Sequence, residues 1–209
     1  MPQAIKRFVR FALIGIGIVF LSLLIVFYLP NTKISDTNQS IFVPTGTSFE
    51  KLKEILEPHL KSKISFSLAA KAKRFDTPRI GHFVLKPTMG NQQIINVLRS
   101  GNTPIQVVFN NQQTIEHLAG RVSEQLELDS LSLIKEIKSP YFIKSVNLNL
   151  EELLSLFLPN SYEMYWNISA AEFCQRMRRE NDLFWNEIRE SKRKRLKMSR
   201  ADVITLASV

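Results

Sequence analysis

A chain of 209 residues holds one or two small domains and is too short for a large enzyme. With 44% hydrophobic and 22% charged residues it is neither disordered nor collagen-like, and its single cysteine, Cys174, excludes a disulfide framework or a multi-cysteine metal cluster. The net charge of +9 sits in two patches: Lys6, Arg7 and Arg10 near the N-terminus, and ten basic residues against four acids between positions 176 and 200. Such local patches do not by themselves imply a nucleic-acid ligand. His59, His82 and His117 share no metal-ligand spacing, so no zinc site is expected.

Residues 11–29 carry no charge and are almost wholly apolar, interrupted only by Gly15, Gly17, Ser22 and Tyr28. At about 1.5 Å per residue such a helix nearly spans a hydrocarbon core of roughly 30 Å. Three basic residues precede the run, so the positive-inside rule keeps residues 1–10 in the cytoplasm and sends the rest of the chain across. A cleaved signal peptide would have a shorter apolar core ending in small residues, whereas this one ends Val26-Phe27-Tyr28-Leu29-Pro30. The expectation is a retained single-pass anchor in the inner (cytoplasmic) membrane. The polar residues 30–40 then read as a linker.

The exported part opens with a strand–turn–helix phrase that recurs. Ile41-Phe42-Val43-Pro44 leads through Gly46 to a helix with Phe49, Leu52, Ile55 and Leu56 on one face, and Thr47 and Glu50 have capping-box spacing. Phe83-Val84-Leu85 leads through Gly90 and Asn91 to a helix with Ile94, Ile95, Val97 and Leu98. Ile105 to Phe109 leads through Asn110-Asn111 to a helix with Ile115, Leu118, Val122 and Leu126. With a helical stretch near 67–74, residues 41–104 read as one compact α+β subdomain. Helix pairs on a small sheet are similar to the LysM class of glycan-binding modules, although strand–turn–helix is equally the mark of a generic α+β domain.

From Leu131 the chain reads mostly helical. Short helices are expected at 131–137 and 151–156, a long one at 170–197, and a last one from Arg200. The long helix has an apolar stripe of Phe173, Met177, Phe184, Trp185 and Ile188, with its Arg and Lys residues on the other faces. Those cations read as a solvated face or as a contact for anionic wall polymer or lipid headgroups. Nucleic acid is not expected as a partner, because the topology puts them outside the cytoplasm.

The segment Leu156-Phe157-Leu158-Pro159-Asn160-Ser161-Tyr162-Glu163-Met164-Tyr165-Trp166 gathers aromatics, a proline turn and one carboxylate. Aromatic faces beside amides suit a sugar groove, and a carboxyl desolvated among rings can serve as a general acid. Glu163 is the candidate, against the plainer reading of core aromatics beside a helix-start glutamate.

Here the chain resembles the YceG/MltG-type endolytic murein transglycosylases, single-pass membrane enzymes that act on peptidoglycan. The resemblance rests on the basic N-terminus with one anchor, on Val43-Pro44-Thr45-Gly46-Thr47-Ser48, on Phe157-Leu158-Pro159-Asn160-Ser161-Tyr162, and on Leu206-Ala207-Ser208-Val209. Asn160 and Ser161 stand where the family commonly has Asp and Thr, which keeps the turn chemistry but removes a charge. The resemblance implies a fold of class α+β: a transmembrane helix, a LysM-like subdomain, and a mostly helical catalytic domain over 105–209, present in part. It implies cleavage of MurNAc–GlcNAc β-1,4 bonds with formation of 1,6-anhydro-MurNAc, no metal or organic cofactor, glycan strands as substrate, and cell-wall synthases as candidate partners. One glutamate would protonate the leaving oxygen and then accept the proton of the attacking C6 hydroxyl, the nucleophile being already attached to the sugar. That glutamate would fall two residues beyond Val209, so no catalytic residue is assigned within the chain, and the chain reads as truncated and inactive as it stands. Asn160, Tyr162 and Glu163 are the expected substrate-binding residues. The alternative is a non-catalytic, membrane-tethered peptidoglycan-binding or scaffold protein.

Overall fold

A computed structural model describes residues 3–33 and 37–208. Met1 and Pro2 of the expected tail, Ile34, Ser35 and Asp36 of the expected linker, and Val209 lie outside the described residues. The chain forms two compact units, Met1–Thr103 and Pro104–Val209.

The first unit begins with α1, Gln3–Tyr28, whose stretch Val9–Tyr28 is long and apolar enough to cross a membrane. After it come β1 (Gln39–Val43), α2 (Phe49–Leu56), α3 (Lys63–Ala72), β2 (Gly81–Leu85) and α4 (Asn91–Ser100). The strands pair antiparallel with Ile41 opposite Phe83. Alternation along β1 turns Ile41 and Val43 inward, where they meet Leu52 and Leu56 of α2, Phe66 and Ala70 of α3, and Ile94 and Leu98 of α4. Burial of these side chains contributes about 1.5–3 kcal/mol for each large one, and this is what holds four short elements together. Ser48, one residue past the expected cap, starts α2 by accepting from Lys51 N. Thr47 instead donates its hydroxyl back to Pro44 O. Helix α3 starts earlier than expected because Ser62 caps it, accepting from Ser65 N.

Buried His82 donates from Nδ1 to Thr103 O, shares a hydrogen bond with Ser40 Oγ through Nε2, and stacks on Phe42. Gly81, at φ +130, leaves room for Asn102, whose carboxamide a Cβ would run into.

The polar stretch after α1 is ordered where it is described. Asn31 and Thr32 are buried, and Asn31 N and Lys33 N donate to Met89 O and His59 O. Asn31 Nδ2 donates to Asn91 Oδ1 at 2.6 Å and to Ser62 O, while its Oδ1 accepts from Ser62 N. Asn91 Nδ2 in turn donates to Val26 O at 2.6 Å and to Ser65 Oγ. The last turn of α1 is thus bonded into the unit, with Val26 and Phe27 packed on its core.

The second unit holds β3 (Ile105–Phe109), α5 (Ile115–Ser123), α6 (Ser130–Ile137), α7 (Pro140–Val146), β4 (Asn160–Met164), α8 (Ala170–Phe184), α9 (Glu187–Leu196) and α10 (Arg200–Ala207). β3 and β4 pair antiparallel, with Val107 opposite Tyr162. The core gathers Val107, Phe109, Leu118, Val122, Leu133, Tyr162, Met164, Phe173, Cys174 and Met177.

Four expectations change here. Asn160 to Met164 is a strand, because Tyr162 and Met164 alternate inward onto Phe109 and its neighbours. The stretch expected as a helix at 151–156 is a 3-10 turn over Leu153–Leu156. The long helix breaks in two at Trp185, whose ψ of 60° leaves the helical region, and Asn186 caps the new start by accepting from Arg189 N. Helix α7 was not expected; Ser139 caps it and Pro140 occupies its first turn.

Candidate functional site

One recess of the second unit is a cleft of about 620 Å³ with three walls. One is the loop Asn110-Asn111-Gln112-Gln113, which runs from the end of β3 to Thr114, the cap of α5. Gln112 Nε2 donates to Asn110 Oδ1 at 2.6 Å and stiffens this loop. The second is the stretch from Glu151 to Pro159, which contributes Glu151, Glu152, Ser155 and the ring of Phe157. The third is α10, through Ala201, Ile204, Thr205 and Ser208.

Helix α10 is held from behind. Arg200 pairs with Asp182 of α8 and Glu190 of α9, and its guanidinium lies over the Trp185 ring, 5.7 Å from the centroid. Ser199 caps it by accepting from Asp202 N, and Asp202 Oδ2 accepts from Ser199 N at 2.8 Å. Those bonds hold the Asp202 carboxyl below its ordinary range, as a fixed anion at the helix start. Glu152 accepts from Asn149 N and is likewise committed to the turn. Glu151 is exposed and makes no hydrogen bond or ion pair among the described residues. The cleft therefore offers four carboxamides, each with donor and acceptor, over a floor of Leu118, Leu154 and Phe157.

The expected site residues lie beside this cleft rather than in it. Asn160 opens β4, exposed, with its Oδ1 accepting from Ser161 N. Tyr162 faces the core, stacked on Phe109 at 5.4 Å between centroids, and its hydroxyl donates to Leu158 O at 2.6 Å. Burial, with Glu180 nearby, pushes this phenol up to about 12. Glu163 points to the opposite, exposed face of the strand, opposite Gln106. Strand alternation thus separates Tyr162 from Glu163, while Phe157 and Pro159 of the same segment do line the cleft. The run of four amides at 110–113 was visible in the sequence as a turn only; its unbroken amide chemistry was the signal for a polar wall.

The basic window is partly internal. Arg176 pairs with Glu180 at 2.7 Å, Arg193 pairs with Glu190, and Arg189 donates to Phe184 O. Lys192, Lys194, Arg195 and Lys197 form no ion pair among the described residues. These residues contain no group of three or more His, Cys, Asp or Glu able to hold a metal ion.

A profile described as the YceG-like family matches residues 41–209. The chain belongs to the YceG-like family. It is similar to the crystal structure of a YceG-like protein from Listeria monocytogenes, at 22% identity and a TM-score of 0.43, over 79% of this chain. The chain spans 61% of the length of that protein. Among curated proteins none matches.

Proposed function

We propose that the protein is a membrane-anchored peptidoglycan lytic transglycosylase and that the amide-walled cleft receives its glycan strand. The observation that carries this reading is the face of α10. Ala201, Ile204 and Ser208 all line the cleft, at the spacing of one helical stripe. Ser208, part of one of the strings that carry the family resemblance, thus borders the cleft. Carboxamides match the hydroxyl and acetamido groups of an amino-sugar polymer, and the apolar floor excludes water from the glycosidic oxygen. The first unit then acts as a LysM-like glycan-holding module on the extracytoplasmic side, with residues 1–10 in the cytoplasm as the basic N-terminus directs.

The test is incubation of intact sacculi with the detergent-purified full-length protein, followed by mass spectrometry of the soluble products. Products ending in 1,6-anhydro-MurNAc are expected. Gln113→Ala and Asn111→Ala each lower the rate by about tenfold, the equivalent of about 1.4 kcal/mol of transition-state stabilisation. Products with free reducing MurNAc ends would replace the lyase reading with hydrolysis. Binding to sacculi with no product at all would leave a scaffold protein.

A further inference from the structure

We propose that α3 lies in the membrane–water interface, with Ile64 and Leu68 seated among lipid headgroups and Lys71 and Lys73 on their phosphates. This rests on the reading of α1 as a membrane-spanning helix. The 20 residues of Val9–Tyr28 rise about 30 Å, the thickness of one hydrocarbon core, so Tyr28 marks the boundary.

No slack separates that boundary from the first unit. Asn91 of α4 is bonded both to Val26 O and to Ser65 Oγ of α3. Gly90 packs so closely under the helix end that a Cβ there would meet Tyr28 O at 2.8 Å and Phe27 O at 2.9 Å. Lys73 at the end of α3 holds its ammonium over the Phe27 ring, 5.9 Å from the centroid. Helix α3 is therefore fixed within a side chain's reach of the headgroups.

Its faces are divided accordingly. Ser62, Ser65 and Ala69 look towards the Asn91 network and the core. Ile64, Leu68 and Lys71 form the next stripe round, at positions i, i+4 and i+7, and Ile64 and Leu68 are 75% and 55% exposed. Two large aliphatic side chains continuous with a bilayer span, flanked by Lys71 and Lys73 without an ion pair among the described residues, match an anionic lipid surface in both polarity and charge.

The experiment reconstitutes the full chain into vesicles of phosphatidylethanolamine and phosphatidylglycerol, with an environment-sensitive fluorophore on Ile64→Cys, Leu68→Cys or, in the span, Ile16→Cys. Native Cys174 is fully buried, which leaves the introduced thiol as the labelling site. Bromines placed near the headgroup are expected to quench labels at 64 and 68, and bromines deep in the acyl chain the label at 16. Replacing phosphatidylglycerol by phosphatidylcholine weakens the signal at 64 and 68 only. Quenching at 16 with none at 64 and 68 overturns the proposal and leaves the anchor standing. Labels at 64 and 68 that are shielded from a water-soluble quencher yet untouched by brominated lipid also overturn it, because a protein then covers the face. Absence of quenching at 16 overturns the spanning reading itself.

Discussion

Asn91 is the residue on which the first unit turns. Its carboxamide donates to Val26 O and Ser65 Oγ and accepts from Asn31, all at a site 1% exposed. Asn91→Ala leaves several buried polar groups without partners and is expected to cost about 1–3 kcal/mol. The loss shows as faster amide exchange in β1 and β2 while β3 and β4 keep their protection. In the second unit two buried protons matter. Burial, with Glu136 adding to it, pushes the Cys174 thiol from 9.0 up to about 12. Burial likewise moves the Tyr162 phenol from 10.0 to about 12. The folded chain holds both protons more tightly than the unfolded chain does, so stability is full below pH 9 and falls as pH rises from 9 towards 12. Urea midpoints for the second unit across that range check this. Tyr162→Phe should flatten the part between 10 and 12 and lower stability by about 1 kcal/mol through the lost bond to Leu158 O.

Among the elements, periodicity in the sequence located the strands at 41–43, 83–85 and 105–109 and the helices after each, because every one has a single buried face. It missed β4. Asn160 and Ser161 look like turn residues, and only the pairing with Val107 and Phe109 makes the segment extended. A period of two places Tyr162 and Glu163 on opposite faces of β4, so these two expected site residues do not share a face. Periodicity also joined α8 to α9, because Trp185 fits an apolar stripe and the break depends on the Asn186 cap. Asn186→Ala is expected to cost about 1 kcal/mol and to speed exchange of the Arg189 amide. The cleft draws its walls from residues 110–113, 151–159 and 201–208, a juxtaposition that no local pattern encodes. The family motifs were legible because they are read as strings; which of their side chains face the cleft was not.

At the scale of the whole molecule, the first unit opens with an apolar helix, and each of the two units has its own core and its own two-stranded sheet. If that helix is a retained anchor, the protein stays in the membrane pellet through an alkaline carbonate wash and enters solution only with detergent. Its N-terminal peptide, with Lys6, Arg7 and Arg10, then remains on the mature protein, whereas a cleaved leader would remove it. Mass spectrometry of the extracted chain distinguishes the two.

The junction at Gly90 and Asn91 has a mechanical meaning as well. A chain tethered by a flexible coil absorbs tension by straightening, and the coil acts as an entropic spring. Here a pull on the first unit passes directly from α3 and α4 into the last turn of α1 through short hydrogen bonds and a backbone-tight glycine seat. The joint has no coil to straighten, so a load applied to the first unit reaches the apolar helix through these contacts.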